Sequence, residues 1–171
     1  MIKLYLIKKL VSDKDLSIWI SWLNDPKVVK YSDKRFKKHT IVSQKKFLLK
    51  KIEDQSCYIF QIKLKSKFIG VIELSSVKFP QNECEISYMI GEKNLHGKGL
   101  GTQAIKNCLR YAKKILNIKI VYAGINSENI ESKKVLKKNF FNKVGNSNKY
   151  YLLKNNNDNN NNLIVFQKYL K

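Results

Sequence analysis

In the stretch NLHGKGLGTQA, residues 94–104, glycine occupies positions 97, 99 and 101, directly before a strongly amphipathic run. Only seven glycines occur in 171 residues, so three at one helix mouth call for a physical reason. Glycine at a helix start costs conformational entropy. What it gains is bare backbone, and the first N–H groups of a helix, unpaired and at the positive end of its dipole, favour an anion. Two phosphate loops do not match. A P-loop needs GxxxxGK followed by Ser or Thr. Here five residues separate Gly91 from Gly97, and Gly99 follows Lys98, so the magnesium-binding hydroxyl is missing. A dinucleotide-binding GxGxxG fails too, because the glycines alternate and residue 102 is threonine. A tight strand-to-helix turn without a ligand is the remaining reading of the residues alone.

The elements around this loop follow from periodicity and punctuation. Residues 4–10 (LYLIKKL) read as a strand. Ser12 and Asp15 suggest a helix start, and Leu16, Trp19, Ile20 and Leu23 keep helical spacing until Asn24-Asp25-Pro26 stops it. YSDKRFKKHT (31–40) reads as an exposed loop ending in Thr40, which can cap a second helix through Ile41, Leu48 and Ile52. Residues 57–64 and 68–74 flank a short Lys-Ser-Lys turn and suggest a hairpin, and ECEISYMI (83–90) is a further strand. After the glycines, Leu100, Ala104, Ile105, Cys108, Leu109, Ala112, Ile115 and Leu116 define one apolar helix face. A strand at 119–125, a helix at 130–141 and strands at 150–153 and 163–170 complete the chain. NNNDNNNN, 155–162, has too little apolar content to order itself and reads as a flexible loop. The whole, 1–171, is expected to be one α+β domain.

Composition narrows the function classes. The 43% hydrophobic content suits a globular core, and apolar runs such as 68–74, broken by Gly70 and Glu73, are far too short to span a bilayer. The first residues lack a small-residue cleavage site, so a cytoplasmic protein is expected. Cys57, Cys84 and Cys108 form no CxxC and no metal spacing, and read as reduced, buried small hydrophobes; no metal is expected. The formal charge of +21 would attract polyanions. Arg35 and Arg110 are the only arginines, however, and lysine lacks the bidentate fork of specific base readers. No specific nucleic acid partner and no membrane partner are expected.

HGKGLG resembles the pyrophosphate-binding motif of the GNAT superfamily of acyl-CoA N-acyltransferases, (Q/R)-x-x-G-x-(G/A). Gly99 and Gly101 fill its two small positions, and His96 stands where Gln or Arg is usual. NIESKKVLKKNFF is similar to the N-x-x-S-x-x-V-L pattern of a branch that includes ribosomal-protein and nucleotide-sugar acetyltransferases, with Asn129, Ser132 and Phe141 at its Asn, Ser and Phe positions. WLNDPKVV resembles that branch's first helix and turn, and the expected element order is the GNAT order. Two positions depart: Phe140 replaces the Gly before Phe141, and Leu136 stands where many members place a Tyr.

The resemblance implies a single GNAT-like domain: a mixed, mostly antiparallel seven-stranded sheet, flanked by about four helices and splayed at the cofactor site. It also implies direct transfer of acetyl from acetyl-CoA to a primary amine. Cofactor contacts are expected from Tyr88, Met89 and Ile90, from His96, Gly97, Lys98, Gly99, Leu100, Gly101 and Thr102, and from Asn129 and Ser132. Glu85, sharing a strand face with Glu83, Ser87 and Met89, is the expected base, directly or through water. Ser132 is the expected donor to the departing thiolate. Arg35, suited to bidentate anion recognition, and His39 lie in the loop that borders the acceptor cleft of this fold. The expected acceptor is a small amine such as an amino-sugar nucleotide, taken by a monomer or homodimer. A protein N-terminal (ribosomal-protein type) acetyltransferase and a non-catalytic CoA- or nucleic-acid-binding GNAT-like module stand as alternatives.

The charge reading has its own test. Nucleic acid should bind weakly and without sequence preference, and its affinity should fall by orders of magnitude over a few-fold rise in salt, as for ~6–10 phosphate contacts. Salt-resistant binding to one oligonucleotide in a fluorescence titration would contradict it.

Overall fold

Alternation of apolar and polar residues builds the first half of the sheet as an antiparallel meander. Its strands are β1 (Ile2–Leu6), β2 (Tyr58–Leu64), β3 (Lys67–Lys78) and β4 (Glu83–Ile90). Helices α1 (Asp13–Leu23) and α2 (Ile41–Glu53) are inserted between β1 and β2. The second half runs α3 (Leu100–Leu116), β5 (Ile120–Asn126), α4 (Ile130–Lys138), β6 (Asn142–Gly145) and β7 (Leu163–Tyr169). The strand order is β1-β2-β3-β4-β5-β7-β6, and β4–β5 is the one parallel pair in it. These are the coordinates of a computed structural model, which describes residues 1–145 and 163–170. The strand expected at 150–153 and the Asn-rich tract at 155–162 lie outside the described residues.

The sheet separates two apolar layers. On one face, Ala104, Ile105, Cys108 and Ala112 of α3 and Leu136 of α4 pack on Ile62, Ile72, Leu74, Ile86 and Val121. On the other, Trp19 and Trp22 of α1 and Leu48 of α2 pack on Ile59 and Phe68. Gly91, just beyond β4, lies so close to the Trp22 indole that a Cβ would run into the ring. All three cysteines are free and buried, as their apolar settings suggest. Burial, reinforced by nearby glutamates, pushes the Cys57 and Cys84 thiols up to about 12, so both stay protonated at neutral pH.

Local chemistry starts and stops the helices as expected at most ends. Ser12 accepts from the Asp15 N–H at the start of α1, and Thr40 and Ser43 form a reciprocal capping box at α2. β1 begins two residues earlier than expected and stops at Leu6, because Ile2 is buried in the core while Lys8 and Lys9 are exposed. β3 runs four residues past the expected Leu74. The loop at 31–40 contains a short 3-10 turn, Asp33–Phe36, capped by Ser32.

The end of α4 shows what the missing glycine costs. The Phe141 N–H reaches back to the Leu136 carbonyl and the Phe140 N–H to Lys137. This closing geometry puts Phe140 in the left-handed region at φ +61, where glycine is the usual occupant. Its ring is 79% exposed, so it gains little core burial in return. Phe140→Gly should therefore raise stability by roughly 1 kcal/mol, near the lower end of the left-handed penalty for an L-residue. Urea unfolding with an unchanged slope and a higher midpoint is the expected result; a lower midpoint would mean that the Phe140 ring contributes more than its conformation costs.

Candidate active site

The parallel ladder between β4 and β5 holds for only three pairs, Glu83↔Ile120, Cys84↔Val121 and Glu85↔Tyr122. Both strands continue, β4 to Ile90 against β3 and β5 to Asn126 against β7, yet they no longer pair with each other. The sheet therefore opens into a wedge at Glu85. Tyr88, Met89 and Ile90 line the β4 wall of that wedge, beyond the last paired residue.

The glycine loop stands at the open end, and its three glycines answer to two different constraints. Gly97 and Gly99 have φ of +76 and +73, a region that L side chains rarely adopt, and a Cβ at either would meet nothing within 4 Å. Gly99 is the N-cap of α3 and supplies no side-chain cap. The first-turn N–H groups of Leu100, Gly101 and Thr102 are therefore left for an outside acceptor, since the first helical bond runs from Gln103 to the Gly99 carbonyl. Gly101 is different. A Cβ there would lie 2.9 Å from the Tyr88 ring, so its smallness serves close packing of α3 on β4.

Three elements meet at Tyr88. Its hydroxyl is 3.3 Å from Ser132 Oγ at the first turn of α4, and burial raises its pKa, the Ser132 contact opposing. The phenol is therefore protonated at neutral pH. Asn129 caps α4 by accepting from the Ser132 N–H at 3.0 Å. Leu136 is 1% exposed in the core, so no hydroxyl comes from that position. His96 is held differently from a free phosphate donor: its Nε2 donates to the Ile90 carbonyl at 2.7 Å and ties the loop to the end of β4. In a neutral ring this leaves Nδ1 as an acceptor. Lys98 is exposed on the loop.

On the opposite face of the sheet, the side of α1 and α2, Glu85 sits at the apex of the wedge between Ser75 of β3 and Tyr122 of β5. Cys84 and Ile86 point into the α3 layer while Glu83 and Glu85 are half-buried on the other side, as the strand alternation requires. Arg35 and His39 hold their own loop. Arg35 Nη1 donates to the carbonyls of Lys30 and Ser32, and its guanidinium lies over Phe36. The His39 ring Nε2 donates to the Lys34 carbonyl at 3.0 Å, and its backbone pairs both ways with the Asn24 side chain. Sequence reading missed two groupings: the Tyr88–Gly101–Ser132 contact and a cluster of Lys34, Phe47, Lys51 and Glu73. Nothing in local spacing joins residues so far apart, except the helical i, i+4 step from Phe47 to Lys51. A cleft of about 820 Å³, lined in part by Lys8, Lys51, Asp54, Tyr58 and Phe79, opens at the other end of β3, away from the glycine loop, with Lys51 of the cluster on its wall. Among the described residues no group of His, Cys, Asp and Glu is placed to hold a metal.

Residues 6–142 match the family model described as an acetyltransferase (GNAT) domain. The chain is 27% identical over 138 residues, 77% of its length and 76% of the relative's, to the uncharacterized N-acetyltransferase p20 of Bacillus licheniformis. Its fold is similar to that of spermidine N-acetyltransferase from Vibrio cholerae, solved with CoA and spermine (TM-score 0.75, 19% identity, 99% of this chain and 94% of that one). It is also similar to the Campylobacter jejuni N-acetyltransferase PseH in complex with acetyl coenzyme A (TM-score 0.71, 18% identity, all of both chains).

Gly101→Val should destabilise by about 1–3 kcal/mol, the cost of overpacking against Tyr88. In a Tyr88→Ala background much of that penalty should vanish, since the obstructing ring is gone. A double-mutant cycle by urea unfolding measures the coupling; additive effects would show that the Tyr88 contact is not what keeps residue 101 small.

Proposed function

The chain belongs to the GNAT acetyltransferase family, and we propose on that premise that this acetyl-CoA-dependent N-acetyltransferase acts on a small primary amine, with an amino-sugar nucleotide as the leading acceptor. The observation that carries the reading is the wedge at Glu85, which opens beneath an uncapped helix N-terminus. The residues present suit the cofactor. Gly97 and Gly99 keep side chains away from the α3 N–H groups, and Leu100, Gly101 and Thr102 offer those donors to a pyrophosphate, as helix starts do for anions. Lys98 offsets charge at the rim, and His96 fixes the loop through Ile90.

When bound, acetyl-CoA supplies an activated acetyl thioester. The chain's own work is positioning and proton handling. Strand alternation turns the main-chain groups of Tyr88 and Ile90 toward the wedge and those of Met89 toward β3. With the Ile90 carbonyl taken by His96, the Tyr88 and Ile90 N–H groups are proposed to orient and polarise the acyl carbonyl, Met89 completing the wall. Glu85, on the α1–α2 face, is proposed to take the proton of the incoming ammonium, directly or through water. That service is needed because an alkylamine near pKa ~10.4 is almost wholly protonated at neutral pH. Ser132 Oγ, within reach of the protonated Tyr88 hydroxyl, holds a proton on the α3–α4 face for the departing sulfur. Asn129 sets that serine by capping its helix. Base and acid thus work from opposite faces of the sheet, and the wedge is where the faces communicate.

Glu85→Gln should lower kcat at least about 100-fold, within the range of general-base effects, and raising pH should recover part of it as free amine accumulates. Acetyl-CoA at ~100 times its Kd should still stabilise the variant by about 2.7 kcal/mol, as it does the parent chain. Wild-type turnover across pH would make Glu85 structural; loss of the thermal shift as well would mean that the substitution damages the cofactor wedge.

A further inference from the structure

The loop between α1 and α2 spends its two most recognisable polar residues on itself, and in doing so it positions a third. Arg35 binds the Lys30 and Ser32 carbonyls, Asn24 clasps the His39 backbone, and the His39 ring binds the carbonyl of Lys34. The Lys34 side chain then reaches inward, its Nζ 4.5 Å from the centre of the Phe47 ring on α2. Lys51, one helical turn along α2, places its Nζ 5.7 Å from the same ring and pairs with Glu73 Oε1. Two ammonium groups therefore lie against one aromatic ring, and one of them, Lys51, is paired with a carboxylate. Of the other charges in reach, Asp33 favours the Lys34 ammonium and Lys37 opposes it, while Asp54 favours that of Lys51.

This arrangement runs against electrostatic preference. Burial holds the Lys34 ammonium below the usual lysine range, Glu73 opposing and Lys51 adding to the depression. Like charges gathered against one ring favour the approach of an anion. The location is informative. Glu73 is the register partner of Ser87 on β4, and Ser87 lies two residues beyond Glu85 on the same face. The backbone of Glu73, which pairs with Lys51, thus lies about one strand spacing, roughly 5 Å, from the splayed half of β4.

We propose that Lys34 and Lys51, held over Phe47 beside Glu73, form a subsite for a phosphate group carried by the acceptor amine, one strand away from Glu85. The assignment rests on the acetyltransferase reading above and deepens it by naming the acceptor's second functional group. Lysine ammoniums act as point charges toward phosphate and need no bidentate plane, so the occupation of Arg35 by carbonyls does not weaken the subsite. A polycationic acceptor is disfavoured at the same place, because it would bring its own ammoniums against Lys34.

The test uses two amines that differ by one phosphate, glucosamine and glucosamine 6-phosphate, with spermidine as the polycation. The parent chain should favour the phosphorylated sugar by at least about tenfold in kcat/KM, in line with a charge-assisted contact. Lys34→Gln should bring that ratio close to one, and Lys34→Arg should keep most of it. Separately, inorganic pyrophosphate titrated into CoA-saturated protein, with the glycine loop already filled, should bind about tenfold more weakly to Lys34→Gln. A parent ratio near one, a ratio unchanged by Lys34→Gln, or preference for spermidine overturns the subsite. If no amine releases CoA thiol, the acetyltransferase reading fails on its own, and the pyrophosphate titration still decides the anion site: weakened binding in Lys34→Gln upholds it and unchanged binding removes it.

Discussion

Backbone N–H and C=O groups must be paired or solvated, and at the centre of this sheet that requirement is left open on purpose-built geometry. β4 is satisfied by β3 on one edge along nearly its whole length, but its other edge meets β5 for three residue pairs only. Past Glu85 the two halves of the sheet are separate surfaces, joined at their base and apart at the glycine loop. Everything else in the site takes its position from that separation. It admits the N-termini of α3 and α4 to the same space, and it lets groups on opposite faces of the sheet act on one point.

Keeping such a wedge open needs rigid walls. The β4 wall is clamped from both sides: Tyr88 fits against Gly101 and Ser132 on the α3–α4 face, and Met89 packs with the tryptophan layer of α1 on the other. His96 fastens the end of the strand, and Gly91 allows Trp22 to close on the turn that follows. The three glycines of the loop therefore do unlike things. Two supply a left-handed backbone that leaves donors exposed, and one supplies the absence of a side chain where a ring must fit.

Electrostatics divides the same region by face. The α3 side offers backbone dipoles, a protonated phenol and a serine, which suit a polyanionic cofactor and a leaving thiolate. The α1–α2 side carries Glu73, Glu83 and Glu85 on adjacent strands, with Lys51 paired to Glu73 and Lys78 reaching toward Glu83. Lys34 enters this layer from the loop. A basic chain of +21 thus keeps carboxylates on the α1–α2 face beside the opening of the sheet, with the lysines of α2 and its preceding loop near them.

Sequence alone determined the element order as far as α4, the faces of α1 and β4, the face of α3 except for Ile115, which is 65% exposed because it points away from the sheet, the caps at Ser12 and Thr40, and the glycine loop as a helix start. Each of these depends on interactions within a few residues, where period, capping and backbone freedom are written directly in residue type. The resemblance also marked Phe140 as standing where the family pattern has glycine; its left-handed φ came from the structure. The tertiary structure decided the rest. Arg35 and His39 read as acceptor contacts from the loop they lie in, and in the fold their polar groups meet loop carbonyls, while Lys34, which no pattern singled out, lies over Phe47. Asn129 turned out to cap the helix whose serine meets Tyr88. β6 formed at Asn142–Gly145 because β7 offers an edge there, with Asn142 opposite Gln167. The dividing line is physical: the helix period and caps act over a few residues, whereas the partners of a side chain or of a strand edge are chosen by elements dozens of residues away.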